Sequence, residues 1–383
     1  LLFSVLFFLS FFPFLHTQLL PSPPQTFLHA RMTTPESAKE LLAFHKGLVS
    51  ISCITENESP CTQYLQAYLT NLGYTVELQT IAPGRENVLA YLGKGRNPRV
   101  LFNSHIDVVP PYVEYREDEE NVYGRGSSDA KGSMAAQVQA VEELRREGKV
   151  KDGDIGFLFV VGEEVDHIGM VVSSNDLGLT PDYLIVGEPT ESRLALGHKG
   201  VLRLNISIEG KAAHSGYPEL GVSANDKMID LLHKLKSIKL PEDPYFGKTT
   251  MNIGTIQGGL AANIVPAFSK AGISFRIATS TQEVLDLVEQ VLTVEQQLKD
   301  KISIERLTCW EPVRCHSVPG FETFVANYFT DIPSFTTAKH SLLFGPGSIL
   351  CAHAPNEFIN KKELIAAVGS YKDIVLKLFA ESQ

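Results

Sequence analysis

The chain has 383 residues, 44% of them hydrophobic and 20% charged, with a net charge of −10. That is the composition of a folded protein with apolar material for a large core, and the length implies two or more domains or one domain with an insertion. No Lys/Arg-rich tract is present, which excludes nucleic acid as an expected partner.

Residues 1–31 open with a Phe/Leu/Val-rich run, Leu1–Leu15, interrupted by Pro13. It falls short of the roughly 20 apolar residues of a membrane-spanning helix, so no stable span is expected. It reads as a signal-peptide core, which implies secretion or delivery to a vacuole; the alternative is a start at Met32 and a cytoplasmic protein. The five cysteines, Cys53, Cys61, Cys309, Cys315 and Cys351, contain no CxxC, so no structural cysteine–zinc site is implied. Cys53–Cys61 or Cys309–Cys315 could bridge in an oxidising compartment, and buried free thiols are the equal alternative.

Helical spacing predicts helices over 35–50 and 62–72, the second closed by Gly73. Strands follow over 74–80, 87–92 and 99–103. The run Val100-Leu101-Phe102 is wholly apolar, as in a central strand, and it leads into Ser104-His105-Ile106-Asp107. After an acidic linker, Glu114–Glu120, the segment Gly124-Arg125-Gly126-Ser127-Ser128-Asp129 opens a helix over 132–147. Apolar strands over 155–161 and 183–186 end in Gly162-Glu163-Glu164 and Gly187-Glu188.

The pattern changes after Gly200. A strand at 201–209, a helix at 222–235, strands at 250–256 and 269–278, a helix at 282–298 and a strand at 301–307 form the β-α-β-β-α-β order of a ferredoxin-like unit. The predicted organisation is therefore an α/β catalytic domain with a mostly parallel twisted sheet flanked by helices. It occupies 32–200 and 308–383, and the ferredoxin-like unit is inserted at 201–307. The remainder reads as a helix at 319–328, a short strand at 348–351 leading to His353, and a closing helix at 361–379.

In an open, mostly parallel sheet the strand ends lie along one edge, where ligands bind. That edge would gather His105, Asp107, Asp129, Glu163, Glu164, Glu188 and His353. So many carboxylates together would force some to take up protons, and a multivalent cation removes the conflict. Imidazole and carboxylate donors suit zinc, with cobalt or manganese as alternatives. Five candidate ligands suggest two metals that share a carboxylate.

Five motifs occur in order: Ser-His105-Ile-Asp107-Val-Val-Pro, Gly-Arg-Gly-Ser-Ser-Asp129-Ala-Lys-Gly, Glu163-Glu164, Val-Gly-Glu188-Pro-Thr and Ala-His353-Ala-Pro-Asn-Glu. From about Ala38 to the C-terminus the chain resembles the zinc peptidase and deacylase family of acetylornithine deacetylase, succinyl-diaminopimelate desuccinylase, aminoacylase and glutamate carboxypeptidase. Within that family it looks most like the secreted fungal carboxypeptidase-like members.

The resemblance implies two zinc ions bridged by Asp129, with His353 and Glu164 on one and His105 and Glu188 on the other. It makes Glu163 the general base toward a metal-activated water, and Asp107 the partner of the His105 ring. It makes the inserted unit a lid and dimerisation domain, in which His214 stabilises the oxyanion and Asn263 and Arg276 grip the substrate carboxylate. Gly345-Pro-Gly347 would help cradle the same carboxylate. The implied substrate is a small peptide or an N-acyl amino acid, cleaved at an amide beside a free carboxylate.

His45, His167, His233, His316 and His340 sit in no motif and read as structural or surface residues. His198 reads as structural or substrate-facing. A non-catalytic amino acid- or peptide-binding paralogue is the alternative function, although Glu163 and all five ligands are present. A serine hydrolase is not supported, because the chain has no Gly-x-Ser-x-Gly.

Overall fold

The computed structural model describes residues 33–294 and 301–381. The signal-like reading of residues 1–31 and the end of the helix expected over 282–298 lie outside them. Helix α1 (Pro35–Val49) starts where Thr34 accepts a hydrogen bond from Ser37 N (3.2 Å), with Pro35 in the first turn. Its stripe of Leu41, Phe44 and Leu48 is buried. Helix α2 (Ser59–Asn71) packs beside it, with the Phe44 and Tyr68 rings stacked at 3.8 Å. It gives way at Gly73, whose φ of +88° is readily adopted only by glycine.

The main sheet collects β1 (Thr75–Ala82), β2 (Arg85–Tyr91), β3 (Val100–His105), β4 (Ile155–Val160), β5 (Tyr183–Val186) and β6 (Leu194–His198). Helix α3 (Lys131–Arg146) lies between β3 and β4 in sequence, and α4 (Ile168–Asp176) between β4 and β5. The lid follows: β7 (Gly200–Glu209), α5 (Ala224–Lys236), β8 (Thr250–Gly258), β9 (Phe268–Ile277), α6 (Thr281–Val294) and β10 (Ile302–Trp310). The chain then returns to the main sheet with β11 (Val313–Arg314), β12 (Thr323–Ala326) and β13 (His340–Leu343), and closes with α7 (Lys361–Glu381).

The main sheet runs β1-β2-β4-β3-β5-β13-β6-β11, with β12 also on β6. Strands β4, β3, β5 and β13 are mutually parallel, and the pairings of β1 with β2, β2 with β4 and β13 with β6 are antiparallel. Every residue of β3 and β4 is buried, in keeping with the apolar runs Val100-Leu101-Phe102 in β3 and Phe157-Leu158-Phe159-Val160 in β4. Burying each large aliphatic or aromatic side chain contributes roughly 1.5–3 kcal/mol. The lid sheet runs β8-β9-β7-β10, all antiparallel, with α5 and α6 against the face that carries Leu202, Leu204, Ile273 and Phe275. No helix among the described residues is long and apolar enough to cross a membrane.

Two expectations fail in the last stretch. Residues 319–328 form no helix: Thr323–Ala326 is a strand that runs parallel to β6. Its Thr-Phe-Val run suits a pleated edge, and a neighbouring strand supplies the pairing that helical spacing cannot foresee. Residues 348–351 form turns and no strand, with Leu350 84% exposed. The strand lies earlier, at His340–Leu343, because β5 offers its open edge there. All five cysteines are free thiols, with Cys53 and Cys61 buried.

His45, read as structural or surface, and His198, read as structural or substrate-facing, are both buried and neutral. His45 Nε2–H donates to Ser127 O (2.9 Å) and His198 Nδ1–H donates to Lys199 O (2.9 Å); the other ring nitrogen of each has no partner among the described residues. Burial lowers both from 6.5 to about 4; nearby cations add to this, Lys131 at His45 and His167 and Arg276 at His198. Between those values the unfolded chain binds a proton that the native state refuses, so stability falls as pH drops from 6.5 toward 4. Each site is worth about 3 kcal/mol by pH 4. Replacing His45 by Gln should flatten the loss of melting temperature between pH 6.5 and 4.5, read by thermal denaturation at fixed metal.

Candidate metal centre

The C-terminal ends of three adjacent parallel strands deliver the first groups. His105 is the last residue of β3, and Glu163-Glu164 and Glu188 lie just beyond β4 and β5. Asp129 stands two residues before α3. His353 comes from the long connection between β13 and α7.

The structure brings these groups together. His105 Nε2 is 3.0 Å from Asp129 Oδ1 and 3.8 Å from Glu188 Oε1. His353 Nε2 is 3.4 Å from Asp129 Oδ2 and 3.0 Å from Glu164 Oε2. The two oxygens of one carboxylate thus face two different imidazoles, each with a second carboxylate beside it. Donor atoms of His105, Asp129 and Glu164 lie within 4.8 Å of one another, as do those of His105, Glu163 and Glu188. This donor set of imidazoles and carboxylates fits hard-to-borderline divalent cations.

The side-chain charges conflict when left to themselves. Burial pushes Glu163 up to about 8, against the pull of His167 and His105, while Asp331 and Glu164 push it further. Burial also drives Glu188 well above the usual carboxylate range, with Glu163 and Asp129 adding to it. At His105 burial opposes the charged ring, but Glu188, Asp129 and Glu163 outweigh it and raise the group well above 6.5. Hydrogen bonds to Asp129 and Glu164 raise His353 to about 10. A cluster that holds protons so strongly is one in which cations can replace them.

Asp107 meets the His105 ring through its backbone rather than through its side chain. The His105 ring donates from Nδ1 to the backbone carbonyl of Asp107 (2.8 Å), and the Asp107 carboxylate is 3.8 Å from that nitrogen. Its carboxylate instead accepts from the amides of Gly162 (2.9 Å), Glu163 (3.1 Å) and Glu164 (3.3 Å), and from Thr55 Oγ1 (2.9 Å). A buried carboxylate seeks as many donors as it can reach, and three successive amides of a tight turn supply them. Asp107 therefore orients His105 through its main chain and the Glu163-Glu164 turn through its side chain. Gly162, at φ +80°, makes that turn possible.

Sequence reasoning missed several supports. Arg125 pairs with Glu357 at 2.8 Å in the interior and also donates to the carbonyls of His353 (3.2 Å) and Ala354 (3.2 Å). Glu357 accepts from the amides of Ser128 and Asp129, both at 3.1 Å. One buried ion pair thus ties the Asp129 loop to the His353 loop. Both residues stood inside the quoted motifs, which was the available signal. His167, read as structural, lines the cleft beside Glu163.

That cleft, of about 580 Å³, lies between the metal cluster and the lid, and is lined by Asp129, Glu163, His353, Arg203, Arg276 and Trp310 among others. Arg203 and Arg276 project from neighbouring lid strands, and neither makes a salt bridge among the described residues. Burial, then the proximity of Arg203, lowers Arg276 from its ordinary value. His214 and Asn263 do not line the cleft. They sit at an exposed lid turn, where His214 Nδ1 accepts from Gly216 N (3.0 Å) and Asn263 O from Ser215 N (3.0 Å). The amides of Gly345 and Gly347 are occupied by Thr190 Oγ1 and Glu363 Oε1, each at 2.9 Å, so they are not free to cradle a carboxylate.

A mixed α/β sheet that delivers imidazoles and carboxylates to one edge, beneath a separate antiparallel lid, defines a metallopeptidase-type hydrolase. Residues 196–301 match the family model of the peptidase dimerisation domain. An M20 peptidase-domain protein of Schizosaccharomyces pombe is 42% identical, over 88% of this chain and 84% of that one. A protein of Aspergillus flavus named as a probable carboxypeptidase is 39% identical, over 88% of this chain and 89% of its own length. Among solved structures, a tripeptidase of Staphylococcus aureus superposes with a TM-score of 0.74 at 23% identity, covering 90% of this chain and 99% of that one. The chain belongs to the M20 peptidase family.

Proposed function

We propose that this protein is a two-metal hydrolase that cleaves an amide bond beside a free carboxylate, as at the C-terminus of a small peptide or in an N-acyl amino acid. The observation that carries this reading is a single cleft holding both the Asp129-centred cluster and two guanidiniums that make no salt bridge among the described residues. Arg276, partly buried, with the exposed Arg203 beside it, is suited to an incoming carboxylate. The name carried by the Aspergillus flavus relative points to the same substrate class.

His353, Glu164 and Asp129 would hold one ion, and His105, Glu188 and Asp129 the other; zinc is the metal that suits them best, ahead of cobalt and manganese. When bound, the ions supply positive charge that polarises the attacking water and the scissile carbonyl. Glu163, which is not needed as a ligand in this scheme, takes the proton from the water and returns it to the departing nitrogen. Arg276, with Arg203 beside it, binds the substrate carboxylate. A second copy docked through the lid is the arrangement in which His214 and Asn263 would reach a substrate.

The test is to count metal in the purified protein and to assay dipeptides and N-acetyl amino acids against their C-terminally amidated forms. Two ions per chain and hydrolysis that requires the free carboxylate are expected. Binding without turnover, or equal rates on the amidated forms, would overturn the reading. Replacing Arg276 by Met removes a charge-assisted contact worth about 1.5–3 kcal/mol, so kcat/KM should fall roughly 10- to 100-fold, mainly through KM.

A further inference from the structure

The turn that carries Glu163 is fastened at both ends. At its start, Asp107 accepts the amides of Gly162, Glu163 and Glu164. At its end stands His167, whose amide donates to Gly162 O (2.8 Å) and closes the turn. His167 has φ +59° and ψ 20°, a left-handed backbone at the residue before α4. Non-glycine residues adopt that conformation at a cost, and such positions concentrate at functional sites.

The side chain gives a reason for accepting that cost. His167 Nδ1 is 3.0 Å from Asp331 Oδ1 and 3.7 Å from Glu163 Oε1. Asp331 is 1% exposed and accepts the Nδ1 proton, and Phe329 packs edge-on against the ring, with centroids 5.0 Å apart. Asp331 and Phe329 belong to the connection after β12. A second part of the chain, distant in sequence, therefore reaches over to hold the imidazole against the Glu163 carboxylate. Neither His167 nor Asp331 is needed as a ligand of the Asp129-centred cluster.

We propose that His167, held by Asp331, is a positioning residue for the general base: it fixes the turn and the carboxylate of Glu163 from the end that Asp107 does not reach. The proposal rests on the reading of Glu163 as the base. A structural contact alone would affect stability; a positioning contact affects turnover and leaves substrate affinity in place.

The experiment uses the full chain, loaded with zinc, and compares H167A, H167N, D331N and the H167A/D331N double variant on a substrate that the wild type hydrolyses. H167A should lower kcat by up to about 10²-fold, the scale of a misplaced reacting group, with KM within about twofold and two ions retained. Asn tolerates the left-handed backbone and can offer Asp331 a donor in place of Nδ1, so H167N should stay within about fivefold of wild type. D331N should resemble H167A, and the double variant should be no worse than the poorer single variant. In metal-free protein, amide hydrogen exchange over residues 162–167 should quicken at least about tenfold in H167A while the β3 and β4 amides stay protected.

An unchanged kcat in H167A, a rise in KM at constant kcat, or additive losses in the double variant overturns the proposal. If H167A fails to fold, D331N against H167N carries the same comparison. A wild type that hydrolyses nothing overturns the functional reading, and the exchange measurement still tests the clamp. A wild type that turns over, with H167A equal to it, overturns the clamp alone.

Discussion

Replacing Glu163 by Gln is expected to lower kcat by about 10²–10⁴-fold, the usual contribution of a general base, with two ions per chain retained. The basis is geometric. Both carboxylates line the cleft, but Glu164 is paired with His353 at 3.0 Å, whereas Glu163 Oε1 lies 3.7 Å from His167 Nδ1. Gln keeps the shape and cannot take a proton. The pH profile separates this from a folding defect. A base works only when deprotonated, so kcat/KM should rise with pH through the pKa of Glu163. The side chains alone hold that group at about 8, with burial as the main cause. Two divalent cations beside it favour the carboxylate, so the limb measured with metal should fall below 8. E163Q should lose that limb together with its activity. A variant that keeps wild-type kcat, or a profile unchanged in shape, would remove Glu163 from the role.

Stripping the metal is the second large perturbation. Chelation, or Asp129→Asn, is expected to abolish turnover and to destabilise the fold. Asp129 is the group shared between the two imidazoles, at 3.0 and 3.4 Å, so its loss disturbs both positions at once. A cation present at about 1,000 times its Kd stabilises the native state by about 4 kcal/mol. At about 2–4 °C per kcal/mol for a domain of this size class, the melting temperature should drop on the order of 10 °C.

The sign of the pH dependence follows from the same groups. In the metal-free protein Glu163 and Glu188 are raised above 4.5, and His105 and His353 above 6.5. The native state then binds more protons than the unfolded chain across neutral pH, so metal-free stability falls as pH rises through that window. Metal binding displaces those protons and strengthens as pH rises. The gap in melting temperature between loaded and stripped protein should therefore widen from pH 6 to pH 8. A constant gap would mean that the clustered groups are not the ligands.

His105, Asp129, Glu164, Glu188 and His353 were legible because each sits at the end of an apolar run or inside a dense polar motif, and a parallel sheet gathers such ends on one edge. The inserted unit was legible from its alternation of strands and helices alone. His167 was not, because nothing local distinguishes it. Its significance comes from Asp331, 164 residues away, in a segment whose strand depends on pairing with β6. For Asp107 the resemblance implied a contact with the His105 ring; the folded turn shows that its backbone carbonyl makes that contact while three amides converge on its carboxylate.

By itself the sequence determined the α/β class and pointed to the inserted unit and to the acids and imidazoles that the fold clusters, since periodicity and strand-end chemistry are local properties. Only the tertiary structure decided which imidazole faces which oxygen of Asp129, what holds the Glu163 turn, and that Arg276 reaches the cleft whereas His214 and Asn263 do not. Those outcomes depend on strand pairing, burial and hydrogen-bond partners far apart in the chain, and no window of sequence contains both partners.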